Sequence, residues 1–246
     1  AFIALQNSAE LKVRSTDSLR LLMSAGAASA EQAIRDLWVA IPTTFIESYG
    51  MNEFGMGFWC SATDDPEAVI GSIGLPIPGL LAKVVDTNGD EVAQGESGEL
   101  TIKSAGMCAG YHDRAEANSE SWDADGWFYS GDLAKVDSLG NYRIVGRSKE
   151  VIIRGGANVS PREVEEALVT EPRIREVSVV GLPDDYYGET VCACVIVKDE
   201  QSISVDDVFA YLQSRLAAYK VPTTVVIVDA FPLNAMGKVQ KAHLVE

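Results

Sequence analysis

The chain has 246 residues, 47% of them hydrophobic, and a formal net charge of −16 at pH 7. This composition can form the buried core of one large domain or of two ordinary ones. The acidic balance excludes an extended basic groove, so we expect no nucleic acid partner, and any anionic substrate must be bound by local positive groups.

The first region, to about residue 65, predicts a helix followed by a strand. The segment "SAEQAIRDLWVAI" has apolar residues at helical spacing behind a capping residue, Ser29. The next segment, "TTFIESYGMNEFGMGF", predicts a short strand and then a loop broken by glycines. This region therefore has an α/β pattern.

Residues 69–146 are rich in short strands. The segment "GLLAKVVDTNGDEV" predicts a strand, an Asn-Gly turn and a second strand, and "GELTIKS" and "NYRIVG" predict further strands. Several short strands separated by glycine turns indicate a small distorted β-barrel or a curled sheet.

The last hundred or so residues predict a β-α-β-β-α-β order, which is an α+β unit. Its first helix, "SPREVEEALVT", has Ser160 as N-cap and Glu163 in position for a capping box. Its second helix begins after Ser204. A polar stretch precedes this unit, so we predict domains at 1–147 and 148–246.

Cysteine usage and hydropathy bear on location. Cys192 and Cys194 share one face of a predicted strand, which favours buried small hydrophobes and a reducing cytoplasm. No apolar run reaches ~18 residues, so we expect no membrane span. Residues 1–15 lack a basic leader before an apolar core, so they do not read as a signal peptide but resemble the interior of a longer sequence.

Several polar residues could bind a nucleotide, and each also has an ordinary structural explanation. Asp132, in a glycine turn, could accept hydrogen bonds from a ribose diol or could close an Asx-turn, and Arg147 could donate to the same diol or lie at the surface. Glu53 could hold Mg²⁺. Lys238 follows a glycine, but its surroundings are not those of a P-loop.

The order of these segments resembles a known family, the adenylate-forming (AMP-binding) enzymes, and within it the acyl-CoA synthetases. The matching segments span residues 19–241 and are "LRLLMSAGAAS", "ESYGMNE", "GELTIKSAGMCAGYH", "GWFYSGDLAKVD", "GRSKEVIIRGGANVSPREVEEAL", "VVGLPDDYYGETVCACVIV" and "LAAYKVPTTVVIVDAFPLNAMGKVQK". The resemblance implies the C-terminal part of the large domain, followed by a small mobile C-terminal domain.

Such enzymes join a carboxylic acid, fatty acids among them, to ATP with Mg²⁺, and a thiol, usually coenzyme A, then takes the acyl group. The resemblance implies roles for ten positions: Ala27, Tyr49, Asn52, Asp132 and Arg147 in nucleotide binding, Glu53 in metal binding, Lys149 as hinge, and Gly155, Gly156 and Ala157 in CoA binding. Asn52 stands where the family has threonine, facing the α-phosphate.

Lys238 matches the catalytic lysine of the first step. A carboxylate that attacks the α-phosphate brings two anions together, and a lysine between them neutralises the charge that grows in the transition state. A protein base is not needed, because a carboxylic acid is already ionised at neutral pH.

The sequence also departs from the family. The Ser/Thr/Gly-rich phosphate loop that ends in Pro-Lys-Gly is absent, and members of the family are considerably longer. We therefore expect a truncated chain that needs the missing N-terminal half and is inactive alone. Alternatives are an enzyme that loads a carrier protein and a non-catalytic nucleotide-binding fragment. The identity of the acid and the oligomeric state stay open.

Overall fold

The structure, a computed structural model, describes residues 5, 8–26, 31–61, 66–235 and 237–244. It divides into two compact units, Ala1–Val145 and Gly146–Glu246. The sequence placed this division between residues 147 and 148. Each unit has its own hydrophobic core.

The first unit begins with a four-stranded sheet in the order β1-β2-β3-β4. Its strands are β1 (Leu21–Ser24), β2 (Thr44–Met51), β3 (Gly55–Trp59) and β4 (Leu75–Pro76). The parallel strands β1 and β2 are joined through α1 (Glu31–Ala40), as the helical spacing predicts. The cap expected at Ser29 lies outside the described residues, and a short helix, α2 (Pro66–Val69), precedes β4.

β3 corrects the sequence prediction, which took its glycines as breakers of a loop. It pairs antiparallel to β2 and contributes the buried ring of Phe58. A Cβ on Gly50 would lie 2.2 Å from the carbonyl oxygen of Gly55. The glycine therefore allows the two strands to approach closely, and it does not break them.

The second sheet of this unit has the order β5-β6-β7-β8, in which every strand pairs with its neighbour in the chain. The strands are β5 (Leu80–Val85), β6 (Gly98–Ser104), β7 (Phe128–Val136) and β8 (Tyr142–Arg147), and α3 (Ala115–Ser121) precedes β7. Within the described part of the chain these strands form an open sheet, with no closed barrel. The Asn-Gly turn is present, but the strand predicted after it is reduced to one bridge, Val85 to Glu91.

The second unit confirms the predicted α+β order and adds one short strand. Its sheet runs β10-β9-β12-β11, with β13 parallel to β12. The elements are β9 (Ile152–Arg154), β10 (Ala157–Val159), α4 (Pro161–Val169), β11 (Ile174–Asp184), β12 (Gly188–Val197), α5 (Val205–Gln213) and β13 (Thr224–Ile227). Both helices bury apolar residues in one core with the sheet.

The capping box lies on the other helix from the one predicted. Ser204 accepts a hydrogen bond from the Asp207 amide at 3.1 Å, and the Asp207 carboxylate accepts one from the Ser204 amide at 3.1 Å. Ser160 is the N-cap residue of α4, but its side chain makes no cap hydrogen bond. The carboxylate of Glu163, expected to complete the capping box, binds Lys220 Nζ instead, at 2.6 and 2.7 Å.

The cysteine prediction is confirmed. Cys192 and Cys194 are buried on one face of β12, where they pack with Phe231 and neighbouring aliphatic residues. All four cysteines of the chain are free thiols. Of the helices in the described residues, none combines the length and apolar character needed to cross a membrane.

Candidate active site

A tyrosine and a buried aspartate meet in the first unit. Tyr49 lies in β2 with its ring centroid 5.9 Å from that of Phe54 and 5.8 Å from that of Phe58. Its hydroxyl donates a hydrogen bond of 2.6 Å to Oδ2 of Asp132 in β7, although 83 positions separate the two residues in sequence. Asp132 is only 5% exposed. The fold thus brings together two of the residues that the motifs singled out.

A bulge in β7 sets the direction of the aspartate. The β6–β7 register shifts, so that residues 130–132 stand opposite Leu100 alone. Gly131 has a φ of +73°, a conformation that glycine adopts without strain. Ser130 Oγ donates to the Leu100 carbonyl at 2.7 Å and accepts from the Asp132 amide at 3.1 Å. Bulges of this kind redirect side chains beside functional sites.

The turn between β2 and β3 presents the next two candidates. Asn52 is exposed at this turn, and the Glu53 carbonyl accepts a hydrogen bond of 2.8 Å from the Cys108 amide. Glu53 Oε1 accepts a second one, also 2.8 Å, from the Tyr111 hydroxyl. Burial and the neighbouring Glu53 carboxylate raise the pKa of Tyr111 to about 12, so this tyrosine remains a donor at neutral pH.

Glu53 fits a magnesium site in which the bound nucleotide supplies part of the ligand shell. Among the described residues no three His, Cys, Asp or Glu side chains gather as a metal-binding group. Mg²⁺ is commonly held by one or two carboxylates, with water and phosphate oxygens completing its shell. Glu53 can supply one hard carboxylate ligand of that type, and a nucleotide would supply the others.

Lys238 lies on a tight turn of the second unit. The Asn234 amide donates to the Lys238 carbonyl at 2.9 Å, and the Lys238 amide donates to Asn234 Oδ1 at 3.0 Å. Gly237 closes the turn with a φ of +76°. The Lys238 side chain is exposed. Hydrogen bonds between Asn234 and Lys238 therefore fix the two ends of the turn, and the ammonium group lies on a long side chain open to solvent.

The remaining candidates of the second unit lie near its start. Arg147 and Lys149 are exposed, the first at the N-cap and the second inside the 3-10 helix Ser148–Glu150. Gly155 and Gly156 form the β9–β10 turn with φ values of +58° and +84°. This turn joins two short strands. Ala157 follows as the first residue of β10.

Ala27 lies outside the described residues. Among the side chains that the sequence did not single out, Tyr111 and Lys241 contact a candidate or its neighbour. Tyr111 binds Glu53, and Lys241 binds Glu150, next to the candidate hinge residue. Tyr111 is the second-last residue of a motif segment, "GELTIKSAGMCAGYH", which is a weak signal for it. Lys241 is the last residue of another motif segment, "LAAYKVPTTVVIVDAFPLNAMGKVQK", which is an equally weak signal.

Two family models match the chain. The model described as "AMP-binding enzyme" matches residues 1–112, and the model described as "AMP-binding enzyme C-terminal domain" matches residues 163–238. Together they cover more than half of the sequence, in the order that the motifs have.

Curated relatives carry the names of CoA ligases. A feruloyl-CoA synthase of Amycolatopsis sp. is 37% identical over 234 residues, which are 94% of this chain and 47% of that protein. A long-chain-fatty-acid–CoA ligase of Escherichia coli O6:H1 is 34% identical over 244 residues, 99% of this chain and 43% of that protein. The chain thus spans about half the length of these relatives.

Solved structures of similar proteins share the fold. ATP-bound MatB from Rhodopseudomonas palustris superimposes with a TM-score of 0.93 at 33% identity, over 99% of this chain and 48% of that one. The anthranilate CoA ligase AuaEII in complex with anthranoyl-AMP gives a TM-score of 0.88 at 30% identity, over 99% of this chain and 47% of that one.

Proposed function

Because this chain belongs to the AMP-binding enzyme family, as its ordered motifs predicted, we propose that it is the lysine-bearing part of an acyl-CoA synthetase. The proposed reaction couples a carboxylic acid to ATP and then transfers the acyl group to coenzyme A. The observation that carries the proposal is the hydrogen bond between Tyr49 and the buried Asp132. This hydrogen bond holds a carboxylate, which can accept from ribose hydroxyls, beside an aromatic ring, which can stack on a base.

The nucleoside would be bound by three side chains. The Asp132 carboxylate would accept hydrogen bonds from the ribose hydroxyls, and Arg147 would donate to them. The ring of Tyr49 would stack on adenine, near Ala27. Because the hydroxyl of Tyr49 is bonded to Asp132, the ring orientation and the carboxylate position are coupled. Asn52, exposed on the neighbouring turn, would contact the α-phosphate.

In the first step an oxygen of the substrate carboxylate attacks the α-phosphorus of ATP. The bond from that phosphorus to the pyrophosphate oxygen breaks, and the products are acyl-adenylate and pyrophosphate. Lys238 would stand between the two anions and stabilise the charge of the transition state. A magnesium ion held by Glu53 would neutralise charge on the phosphates.

In the second step the CoA sulfur attacks the acyl carbon. The bond from that carbon to the adenylate oxygen breaks, AMP leaves, and the thiol proton passes to solvent. We propose that the second unit rotates about Lys149 between the steps. The β9–β10 turn would then line the thiol channel, where Gly155, Gly156 and Ala157 leave room for a thin arm.

The proposed acceptor of the acyl group is coenzyme A. The curated relatives' names favour CoA, but a solved neighbour at 26% identity and a TM-score of 0.90 is an amide bond synthetase, McbA from Marinactinospora thermotolerans. An enzyme that loads a carrier protein is the second candidate. Since all four cysteines are free thiols, we place the enzyme in a reducing compartment, the cytoplasm.

The chain has no Ser/Thr/Gly-rich run ending in Pro-Lys-Gly, so we propose that it needs an N-terminal half to turn over ATP. A fusion that places the N-terminal half of the feruloyl-CoA synthase before this chain tests the function. We expect acid-dependent exchange of labelled pyrophosphate into ATP with at least one acid from a panel of aryl and fatty acids. No exchange, while the relative's own two halves are active in the same vector, would contradict the proposal.

A further inference from the structure

Lys241 joins three segments of the second unit through two carboxylates. Its Nζ lies 2.9 Å from Oε2 of Glu150 and 3.0 Å from Oε1 of Glu165. Glu150 ends the 3-10 helix Ser148–Glu150, Glu165 lies in α4, and Lys241 begins the 3-10 helix Lys241–Leu244. We call this group of three residues the Lys241 clamp.

The surroundings of the clamp make it more than a surface ion pair. The Lys241 side chain is 28% exposed and the Glu165 side chain 23%. Glu165 Oε1 also accepts a hydrogen bond of 2.8 Å from the Val179 amide, which fixes the carboxylate to β11. Without the ammonium group, two carboxylates would face each other across a partly buried site, an unfavourable arrangement. Burial lowers the pKa of Lys241, but the two carboxylates outweigh it and raise the pKa overall, so the lysine stays charged.

The clamp lies a few residues from the Lys238 turn, and the chain between them is anchored. Val239 bridges Leu233 across the turn and packs against the cluster around Cys192. The Gln240 amide donates to the Pro232 carbonyl at 2.8 Å. The position of Lys241 is therefore coupled to the position of the turn through a short, hydrogen-bonded segment.

We infer that Lys241 is a positioning residue that joins the Lys238 turn and Glu150 to α4, so that the three move as one rigid body. Its role in catalysis rests on the function proposed above. Glu150 is thereby tied to the second unit directly after Lys149. The mobile connection between the units then extends no further than Lys149, and any rotation carries Lys238 and Glu150 together.

Hydrogen–deuterium exchange of the 246-residue chain, read by mass spectrometry, tests the inference. In Lys241→Met we expect exchange to rise by roughly tenfold in peptides covering 148–154 and 232–240, while α5 is unchanged, because only the clamped segments open locally. Lys241→Arg should restore slow exchange, since a guanidinium can bridge both carboxylates.

Lys220→Met is the matched control. Lys220 also binds a carboxylate of α4, at 2.6 Å, and its side chain is 20% exposed, but its partner Glu163 belongs to neither clamped segment. We expect no faster exchange in either segment. If Lys241→Met fails to fold, Glu150→Gln removes one arm of the clamp and should speed exchange at 148–154 by roughly threefold.

Two results would overturn the inference: unchanged exchange in either segment of Lys241→Met, or one uniform rise through the whole second unit. In the fusion enzyme, Lys241→Met should lower kcat for pyrophosphate exchange and leave KM for ATP unchanged, and Lys241→Arg should recover kcat. If the exchange pattern appears but Lys238→Ala retains full adenylation, the clamp stands and the proposed function fails.

Discussion

The hydrogen bond from Tyr49 to Asp132 can be measured by removing the hydroxyl alone. Tyr49→Phe keeps the ring and its packing, and it deprives a carboxylate that is 5% exposed of a donor at 2.6 Å. A hydrogen bond to a charged group contributes about 1.5–3 kcal/mol, so we expect the free energy of unfolding of the first unit to fall by that amount.

Tyr142→Phe is the matched control for this change. Tyr142 belongs to the same unit and is partly buried, but its hydroxyl donates to a neutral acceptor, the carbonyl of Ala82, at 3.0 Å. Its loss should cost only about 0.5–1.5 kcal/mol. The difference between the two variants isolates the contribution of the charged acceptor.

Tryptophan fluorescence during urea unfolding is the suitable assay. All four tryptophans, at positions 38, 59, 122 and 127, belong to the unit Ala1–Val145, so their emission reports the unfolding of this unit alone. A double-mutant cycle with Asp132→Ala, which removes the acceptor, should give a coupling energy of ~1.5–3 kcal/mol. A loss for Tyr49→Phe no larger than for Tyr142→Phe, or zero coupling, would refute the reasoning.

Three further predictions concern other parts of the chain. In the fusion enzyme, Lys238→Ala should abolish adenylate formation and spare CoA transfer to pre-made acyl-AMP. Equal loss of both steps would argue against a rotation of the second unit between them. Gly50→Ala should destabilise the first unit by about 3 kcal/mol in the fluorescence assay, the upper end of the usual cost of overpacking, because the new Cβ would lie 2.2 Å from the Gly55 carbonyl oxygen; a wild-type midpoint would contradict this. The folded pKa of Tyr111, about 12, lies above its ordinary value of 10.0, so its contribution to stability is complete below pH 10 and is lost as pH rises toward 12. Tyr111→Phe should remove that part of the alkaline loss, and identical pH profiles of both proteins would show that the tyrosine plays no part in it.

The sequence predicted the elements whose patterns are local. The α4 and α5 helices, the buried strand carrying Cys192 and Cys194, and the helix between β1 and β2 all follow from apolar periodicity and caps. The strand β3 was missed because the glycines in and before it read as breakers, whereas one of them, Gly50 of β2, is needed for the close approach of β2 to β3. A sequence pattern does not distinguish these two uses of glycine.

Contacts between distant positions account for the other differences. The capping box expected at Glu163 is absent, and the Glu163 carboxylate binds Lys220, 57 positions away, a partner that no local rule indicates. The site was partly predictable, since Asp132 and Tyr49 were both named from motifs. Their hydrogen bond depends on a bulge opposite Leu100, which only the paired strands reveal. The Lys241 clamp likewise needs three segments in place.

The central claim is that Asp132 forms part of an adenylate site. Its most direct test compares the affinity for AMP with that for a dideoxy-AMP, which lacks both ribose hydroxyls. Isothermal titration calorimetry on the fusion enzyme would give both affinities. We expect AMP to bind at least ~10-fold more tightly, because a hydrogen bond to a charged carboxylate contributes about 1.5–3 kcal/mol, and we expect Asp132→Ala to abolish the preference. Equal affinities for the two nucleotides in the unmodified protein, or a preference that survives Asp132→Ala, would contradict the account.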